Sequence, residues 1–167
     1  MVYFILLFFS LLTSCKVKQQ EYTSTIILND KGKFLKELNQ IRKSGCMCGN
    51  VYMPPVPLLK WNNYLENSAS HHAKDMYKKK YFNHVSLSGK TVKQRVEDSG
   101  YTSVGMRSFA VGENIAFGQK SIEDVMKSWL KSDEHCKNMM NKNYSEVGVA
   151  VVNSYWVQNF GRRIPFE

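Results

Sequence analysis

The segment FAVGENIAF, residues 109–117, places the strongest limit on how this chain can fold. Alternate positions put four large apolar side chains on one face of a predicted strand, and the same row contains Glu113. Period-two alternation predicts that this row faces a core. A buried, unpaired carboxylate is costly. The fold must therefore bring partners for Glu113 to the middle of this strand.

Length and charge limit the class of protein. The 167 residues, 43% hydrophobic and 22% charged, predict one globular domain with a sizeable core. The formal net charge of +9 favours contact with lipid headgroups, acidic glycans or phosphates. No motif that reads nucleic-acid bases occurs in the sequence, so we expect no nucleic-acid partner.

The N-terminus predicts export. Residues 1–14, MVYFILLFFSLLTS, carry no charge and are too short to span a bilayer. They resemble the apolar part of a secretory signal peptide, with a buried core helix as the alternative. Leu12 to Cys15 resemble a bacterial lipobox, and the polar segment KVKQQEYTST follows. We therefore expect a signal peptide at 1–14, acylation of Cys15 and a lipidated tether at 15–29. The domain at 30–167 would then face outward from the outer membrane or the cell surface of a bacterium, with the membrane as its partner.

The cysteines predict one disulfide. If Cys15 is acylated, Cys46, Cys48 and Cys136 remain, and an odd number leaves at least one thiol unpaired. The CMC segment is not a zinc motif by itself, because no second cysteine pair follows it. We prefer a Cys48–Cys136 disulfide, with Cys46–Cys136 as the alternative. A bond between Cys46 and Cys48 has unfavourable geometry.

Periodicity and capping residues predict helices early and strands late in the chain. Four helices are predicted: one after Asn29 or Asp30 that ends before Gly45, one over 62–80, one from a Thr91–Gln94 capping box to Gly100, and one opened by Ser121 and Asp124. EVGVAVV and YWVQNFG predict two strands joined by a turn at Asn153 and Ser154. This order favours the α+β class.

The four histidines differ in setting. His72 lies on the apolar stripe of the 62–80 helix and is expected in the core, whereas His71 lies on the flank and is expected to be exposed. His84 and His135 fall in polar segments at predicted helix ends, where functional groups collect. Two imidazoles and a carboxylate can bind a divalent metal or act as an acid–base set. The alternative is an ion-paired Glu113 that only holds loops together.

Several ordered motifs carry a family resemblance. YFNHVSLSGKT, VGENIAFGQ, WLKSDEHCKNMMNKNYSEVGVAV and YWVQNFG resemble the bacterial branch of the CAP superfamily. That superfamily comprises the cysteine-rich secretory, antigen 5 and pathogenesis-related-1 proteins, also called SCP or TAPS domains. The resemblance extends from Phe34 to Gly161. It implies an α–β–α sandwich with a small antiparallel sheet between helical layers, and a cleft lined by histidines and acids.

The same resemblance assigns the cleft residues. His84, Glu113 and His135 match three members of the family's tetrad of two histidines and two glutamates. The place of the second glutamate, in a W-x-x-E stretch, is taken by Ser132. The site therefore lacks one negative charge, and neither Asp133 nor Glu134 occupies the family position. We expect His84, Glu113 and His135 to bind a divalent cation, zinc or magnesium, only weakly.

Two function classes follow from the resemblance. Its members are mostly extracellular modules that bind sterols, lipids, cations or proteins, so we expect a membrane-anchored binding module whose cleft takes a divalent cation, a lipid-like ligand or a protein. The alternative is a metal-assisted or serine-type hydrolase, with His84 or His135 as base, Glu113 orienting it, and a serine or a metal-bound water as nucleophile. The candidate serines are Ser86, Ser88 and Ser132. No nucleophile-elbow motif marks any of them. A third idea, activation of Cys136 by His135, fails if Cys136 forms a disulfide.

Overall fold

The computed structural model describes residues 25–166, so the predicted signal peptide and the predicted acylation site Cys15 lie outside it. The first helix begins at Thr25, and the predicted start at Asn29 or Asp30 is therefore wrong. The helix includes residues 25–29, the last part of the predicted tether. The physical reason is that these residues include no glycine or proline that would stop a helix.

The described residues form five helices and six strands. These elements are α1 (Thr25–Ser44), β1 (Cys46–Cys48), β2 (Val51–Met53), β3 (Lys60–Trp61), α2 (Asn63–Lys79), α3 (Val92–Asp98), β4 (Met106–Phe117), α4 (Ile122–Lys131), α5 (Asp133–Met139), β5 (Glu146–Val152) and β6 (Tyr155–Pro165). Within residues 25–166, no helix is both long and apolar enough to cross a membrane.

Strands β3, β5, β6 and β4 form one sheet in that order. Strand β6 pairs antiparallel with β5 and with β4, and β3 runs parallel to β5. Asn153 and Ser154 adopt positive φ angles of 47° and 68° in the tight β5–β6 turn, as the hairpin prediction requires. The register places Glu113 opposite Asn159.

Helices cover both faces of this sheet and confirm the predicted α–β–α sandwich. Helix α2 packs Ala69, Ala73 and Met76 against one face. Helices α1 and α4 pack against the other face and form the largest core cluster with β5, β6 and Met139 of α5. The small β1–β2 hairpin was not predicted from the sequence.

Strand β4 is covered on both sides, which corrects the simple alternation argument. The row that contains Glu113 and Ile115 faces α2 and α3. The row of small residues packs on the largest core cluster, where a Cβ at Gly112 would overlap the hydroxyl of Tyr144. Phe117, which alternation places in a core, is 55% exposed at the end of the strand. Small side chains therefore mark close packing here, and not a solvent face.

Local signals place most helix ends correctly. Asn62 caps α2, Lys80 ends it in the left-handed region, and Thr91 with Gln94 forms the predicted capping box of α3. The predicted location of His135, a polar loop at the end of a helix, is wrong. This residue lies within the separate helix α5. The acidic residues at the start of α5, Asp133 and Glu134, favour a new helix start beside the helix dipole.

Candidate functional site

Glu113 is buried and fully engaged at the centre of the site. Its side chain is 2% exposed. One carboxylate oxygen, Oε1, lies 2.8 Å from Nδ1 of His84, and Oε2 accepts from Nη2 of Arg95 at 2.6 Å. With the Asn159 amide oriented so that its oxygen accepts from the Ser68 hydroxyl, its nitrogen donates to Oε2 at 3.1 Å. The partners that the sequence argument demanded thus come from a loop, a helix and the neighbouring strand.

Arg95 is the partner that sequence reasoning missed. It lies on α3 with a side chain 8% exposed. Its Nη1 also donates to the carbonyl oxygens of His84, at 2.7 Å, and of Lys90, at 2.9 Å. Arg95 therefore neutralises Glu113 and fixes the 81–90 loop in one set of contacts. No sequence signal marked it, because an arginine in a seven-residue helix does not by itself predict burial.

His84 links this buried centre to solvent. Its ring is 53% exposed. Because a carboxylate oxygen accepts, Nδ1 is the donor in this contact, and Nε2 is the ring nitrogen left for another partner. The loop on its N-terminal side is held by Asn83, whose carbonyl accepts from Nε2 of His72 at 2.9 Å and whose side chain accepts from the Val85 amide at 2.8 Å. The position of His84 is therefore set by the fold.

The prediction for His72 is confirmed, because the residue is 1% exposed and hydrogen-bonded to Asn83. His71 is exposed, also as predicted.

His135 lies beside the centre without joining it. Its side chain is half-buried, and its carbonyl accepts from Nδ2 of Asn114 at 3.2 Å. Asn138 also ties α5 to β4, by donating to the carbonyl of Glu113 and to the side chain of Asn114. Burial lowers the pKa of His135, and the charge of His84 lowers it further. Among the described residues, no hydrogen bond joins His135 to Glu113.

The geometry favours a supporting role for Glu113 at any metal. Within the described residues, only the sulfurs of Cys46, Cys48 and Cys136 form a group of three or more possible ligands within 4.8 Å of one another. The ligand atoms of His84, Glu113 and His135 do not meet that limit. Since Glu113 is engaged by His84 and Arg95, the arrangement fits a carboxylate that orients a ligand histidine through its Nδ1.

The candidate serines lack an activating base in the described residues. Ser86 and Ser88 contact each other at 2.9 Å, and Ser86 accepts from the Lys90 amide at 3.0 Å. Ser132 separates α4 from α5 and makes no side-chain cap. No hydrogen bond joins any of these serines to a histidine in residues 25–166.

The predicted Cys48–Cys136 disulfide is present, so activation of Cys136 by His135 is excluded.

A polar cavity adjoins the site on the side of Arg95. Its volume is about 330 Å³, and it lies between α2, α3 and the 81–90 loop. All of its lining residues are polar or charged, among them His72, Ser86 and Arg95. Among residues 25–166, Nδ1 of His72 and Nε of Arg95 have no hydrogen-bond partner. The cavity gives the site a second wall that sequence reasoning did not predict.

Four exposed apolar side chains lie in the loop that carries His84 or next to that loop. Leu87 is 64% exposed and Val85 is 44% exposed in the same loop. Phe82 is 49% exposed, and its ring lies 6.4 Å from that of Phe117 at the end of β4. These four residues, Phe82, Val85, Leu87 and Phe117, are called the apolar rim below. The site thus combines a half-exposed imidazole with accessible apolar surface.

Comparison of the sequence with known proteins identifies the family of this chain. Residues 35–160 match the CAP family, described as the cysteine-rich secretory protein family. The protein YkwD of Bacillus subtilis (strain 168) is 36% identical over 104 residues, which are 61% of this chain and 38% of that protein. The chain therefore spans less than half of that curated relative.

Two solved structures share the fold. An extracellular protein with an SCP domain from Bacillus anthracis is 30% identical with a TM-score of 0.65, over 78% of this chain and 39% of that chain. An outer surface protein of Borrelia burgdorferi has a TM-score of 0.66 at 22% identity, over 82% of this chain and 95% of that chain. The motifs, the sandwich and the family match agree: this chain belongs to the cysteine-rich secretory protein, or CAP, family.

Proposed function

We propose that this protein is an extracytoplasmic binding module whose ligand contacts His84 and the apolar rim. The observation that carries the proposal is the attachment of a half-exposed imidazole to a buried ion pair. Glu113 and Arg95 are desolvated at a substantial energetic cost. A pair with a purely structural role does not require a solvent-exposed titratable partner, yet Glu113 directs one of its two oxygens to His84.

The surroundings of His84 favour a lipid-like ligand. The apolar rim offers contact area for a hydrocarbon chain, and the imidazole offers a polar contact at its edge. The formal charge of +9 favours an anionic head group. A long-chain fatty acid has both properties and serves as the probe.

The cellular location is part of the proposal. The Bacillus anthracis relative is described as extracellular and the Borrelia burgdorferi neighbour as an outer surface protein. We propose the same side of the membrane here, with acylated Cys15 as the anchor. Intact-mass analysis of the expressed protein tests this, since an unmodified chain that begins at Met1 would contradict it.

Titration with oleate below its micellar concentration tests the lipid-like ligand. We expect saturable binding by the wild type and a loss of at least tenfold in affinity for Leu87→Asp, because a charge on the apolar rim opposes contact with the chain. Val104→Asp is the matched control, since Val104 is 80% exposed and lies outside the rim. Equal binding by wild type and Leu87→Asp would contradict the proposal.

A divalent cation is the second ligand that we propose, bound weakly through Nε2 of His84 and through His135, whose pKa is lowered by burial and by the charge of His84. Calorimetric titration with zinc at neutral pH is expected to show one weak site in the wild type and none in a His84→Ala, His135→Ala double variant. His71→Ala should bind as the wild type does. Absence of saturable heat in the wild type, or binding retained by the double variant, would refute cation binding at this site.

A further inference from the structure

Three cysteine sulfurs meet where β1 packs on α5. Cys48 and Cys136 form the disulfide, and both residues are fully buried. The half-buried Cys46 has a free thiol whose sulfur lies 3.7 Å from that of Cys136 and 3.9 Å from that of Cys48. Cys46 and Cys48 are two residues apart in a strand, so both side chains lie on the same face and face the same helix.

This geometry gives Cys136 two possible partners. A disulfide requires its sulfurs to lie about 2.0 Å apart, so Cys46 needs to approach Cys136 by less than about 2 Å. The β1–β2 hairpin that carries Cys46 and Cys48 is three residues long on each strand and forms a sheet of its own. A shift of this hairpin therefore disturbs no pairing in the four-stranded sheet.

We propose that Cys46, Cys48 and Cys136 form a disulfide-exchange site, in which the bond to Cys136 moves between Cys48 and Cys46. In the forward step the Cys46 thiolate attacks Sγ of Cys136, and the Cys46–Cys136 bond forms as the Cys48–Cys136 bond breaks. Cys48 leaves as a thiolate and takes up a proton. The number of disulfides and thiols is unchanged, so the step needs no external oxidant or reductant.

If the Cys46 thiolate attacked Sγ of Cys48 instead, the new disulfide would join Cys46 to Cys48. These residues are only two positions apart in a strand, and strand geometry disfavours such a bond. Burial raises the pKa of the Cys46 thiol, so little thiolate is present at neutral pH and the exchange is slow.

The exchange keeps α5 attached to β1 in both states. Cys136 immediately follows His135, and either disulfide holds α5 against the hairpin. The two bonds span nearly equal lengths of chain, 88 and 90 residues, so loop-closure entropy does not favour one over the other. The site thus preserves the position of His135 while it changes which thiol is free.

The Cys48→Ser variant of the full chain tests this directly. After incubation with a mixture of reduced and oxidised glutathione and an acid quench, free thiols are alkylated in denaturant and the chain is cleaved with cyanogen bromide. Cleavage after Met47 separates Cys46 from position 48, and the acid suppresses further exchange. We expect Cys46 joined to Cys136 in this variant, and Cys48 joined to Cys136 in the matched control Cys46→Ser. A free Cys136 in Cys48→Ser, with the control still bonded, would overturn the proposal.

If Cys48→Ser does not fold, the wild type under the same protocol decides the question. A measurable fraction of alkylated Cys48, together with a Cys46–Cys136 fragment, would support exchange. Alkylation confined to Cys46 among the three cysteines would overturn it. This experiment is independent of ligand binding, because it detects only which cysteines are joined by disulfides.

Discussion

Arg42 and Glu113 are two buried charges that the fold satisfies in different ways. Arg42 is 0% exposed, and its guanidinium donates only to backbone carbonyl oxygens in the described structure. Those carbonyls belong to Pro57, Met139, Asn141 and Tyr144. Glu113 instead is contacted by side chains, one of which reaches solvent. The first charge is enclosed by backbone, and the second is connected to the surface.

This difference in partners indicates that Arg42 is a structural charge and that Glu113 is a functional one. Burial lowers the pKa of Arg42 to about 10, so the residue remains charged at neutral pH, and its carbonyl partners do not titrate. It joins α1, the segment before β3 and the end of α5 into one unit. The partners of Glu113 include the half-exposed imidazole of His84. A ligand at His84 can therefore act on Glu113, whereas nothing at the surface reaches Arg42.

The largest expected effect is on Arg42. Replacement in Arg42→Met leaves several buried carbonyls without donors, and we expect a loss of about 4–5 kcal/mol in the free energy of unfolding. Urea denaturation measures this loss. Lys43→Met, at the exposed neighbouring position, is the control and should change stability by about 0.5 kcal/mol or less. If Arg42→Met lost no more stability than the control, Arg42 would not be the structural charge that we describe.

The next effect is at Glu113. In Glu113→Gln the shape is kept but Arg95 becomes an unpaired buried cation, and we expect a loss of about 3 kcal/mol. The double variant Glu113→Gln, Arg95→Gln should lose less than the sum of the two single losses, because the partners act as one unit. Additive losses would show that the ion pair is not the source of the effect. Glu134→Gln, on the exposed side of α5, is the control.

Sequence reasoning found the elements of this site more easily than its contacts. Glu113 was recognisable because one carboxylate interrupted an apolar row, and the motifs pointed to His84 and His135. Arg95 was missed, because its burial depends on how α3 meets β4, and the periodicity of a seven-residue helix does not determine that meeting. Arg42 was missed for a related reason: its partners are carbonyls 15 to 102 residues away, and carbonyls carry no sequence signal.

The start of α5 shows a further limit of sequence reasoning. The helical pattern of α4 leads directly into it, so periodicity does not show the break at Ser132, although Asp133 and Glu134 are a local signal for a new helix start. The disulfide was easier to predict, because three candidate cysteines allow few pairings.

A smaller effect on stability is expected at His84. Its ring is half exposed, and Glu113 keeps Arg95 and Asn159 when the imidazole is removed. We expect His84→Ala to lower the free energy of unfolding by about 0.5 kcal/mol. Oleate or zinc binding should fall much more strongly. Urea denaturation and ligand titration on the same preparation measure both, and a stability loss as large as that of Glu113→Gln would assign His84 to the structure rather than to the ligand.

The last prediction uses pH to separate the two regions. Burial lowers the pKa of His72 below its usual 6.5, with the nearby charge of Glu113 acting in the opposite direction. A base with a lower pKa in the folded state is protonated first in the unfolded chain, so its contribution to stability is complete above about pH 6.5 and decreases as the pH falls below that value. The partners of Arg42 have no such group.

Urea denaturation at pH 7.5 and pH 5.0 should therefore show a decrease in stability for the wild type and for Arg42→Met alike, since the Arg42 contacts do not titrate in this range. In His72→Gln the side-chain amide can still donate to the Asn83 carbonyl, and we expect a smaller decrease. His71→Gln, at the exposed neighbouring position, should keep the full wild-type decrease. His135, whose pKa burial also lowers, is expected to contribute to the slope as well. If His72→Gln kept the whole slope, the pH response would not originate at the buried histidine beside Glu113, and this contrast with Arg42 would be refuted.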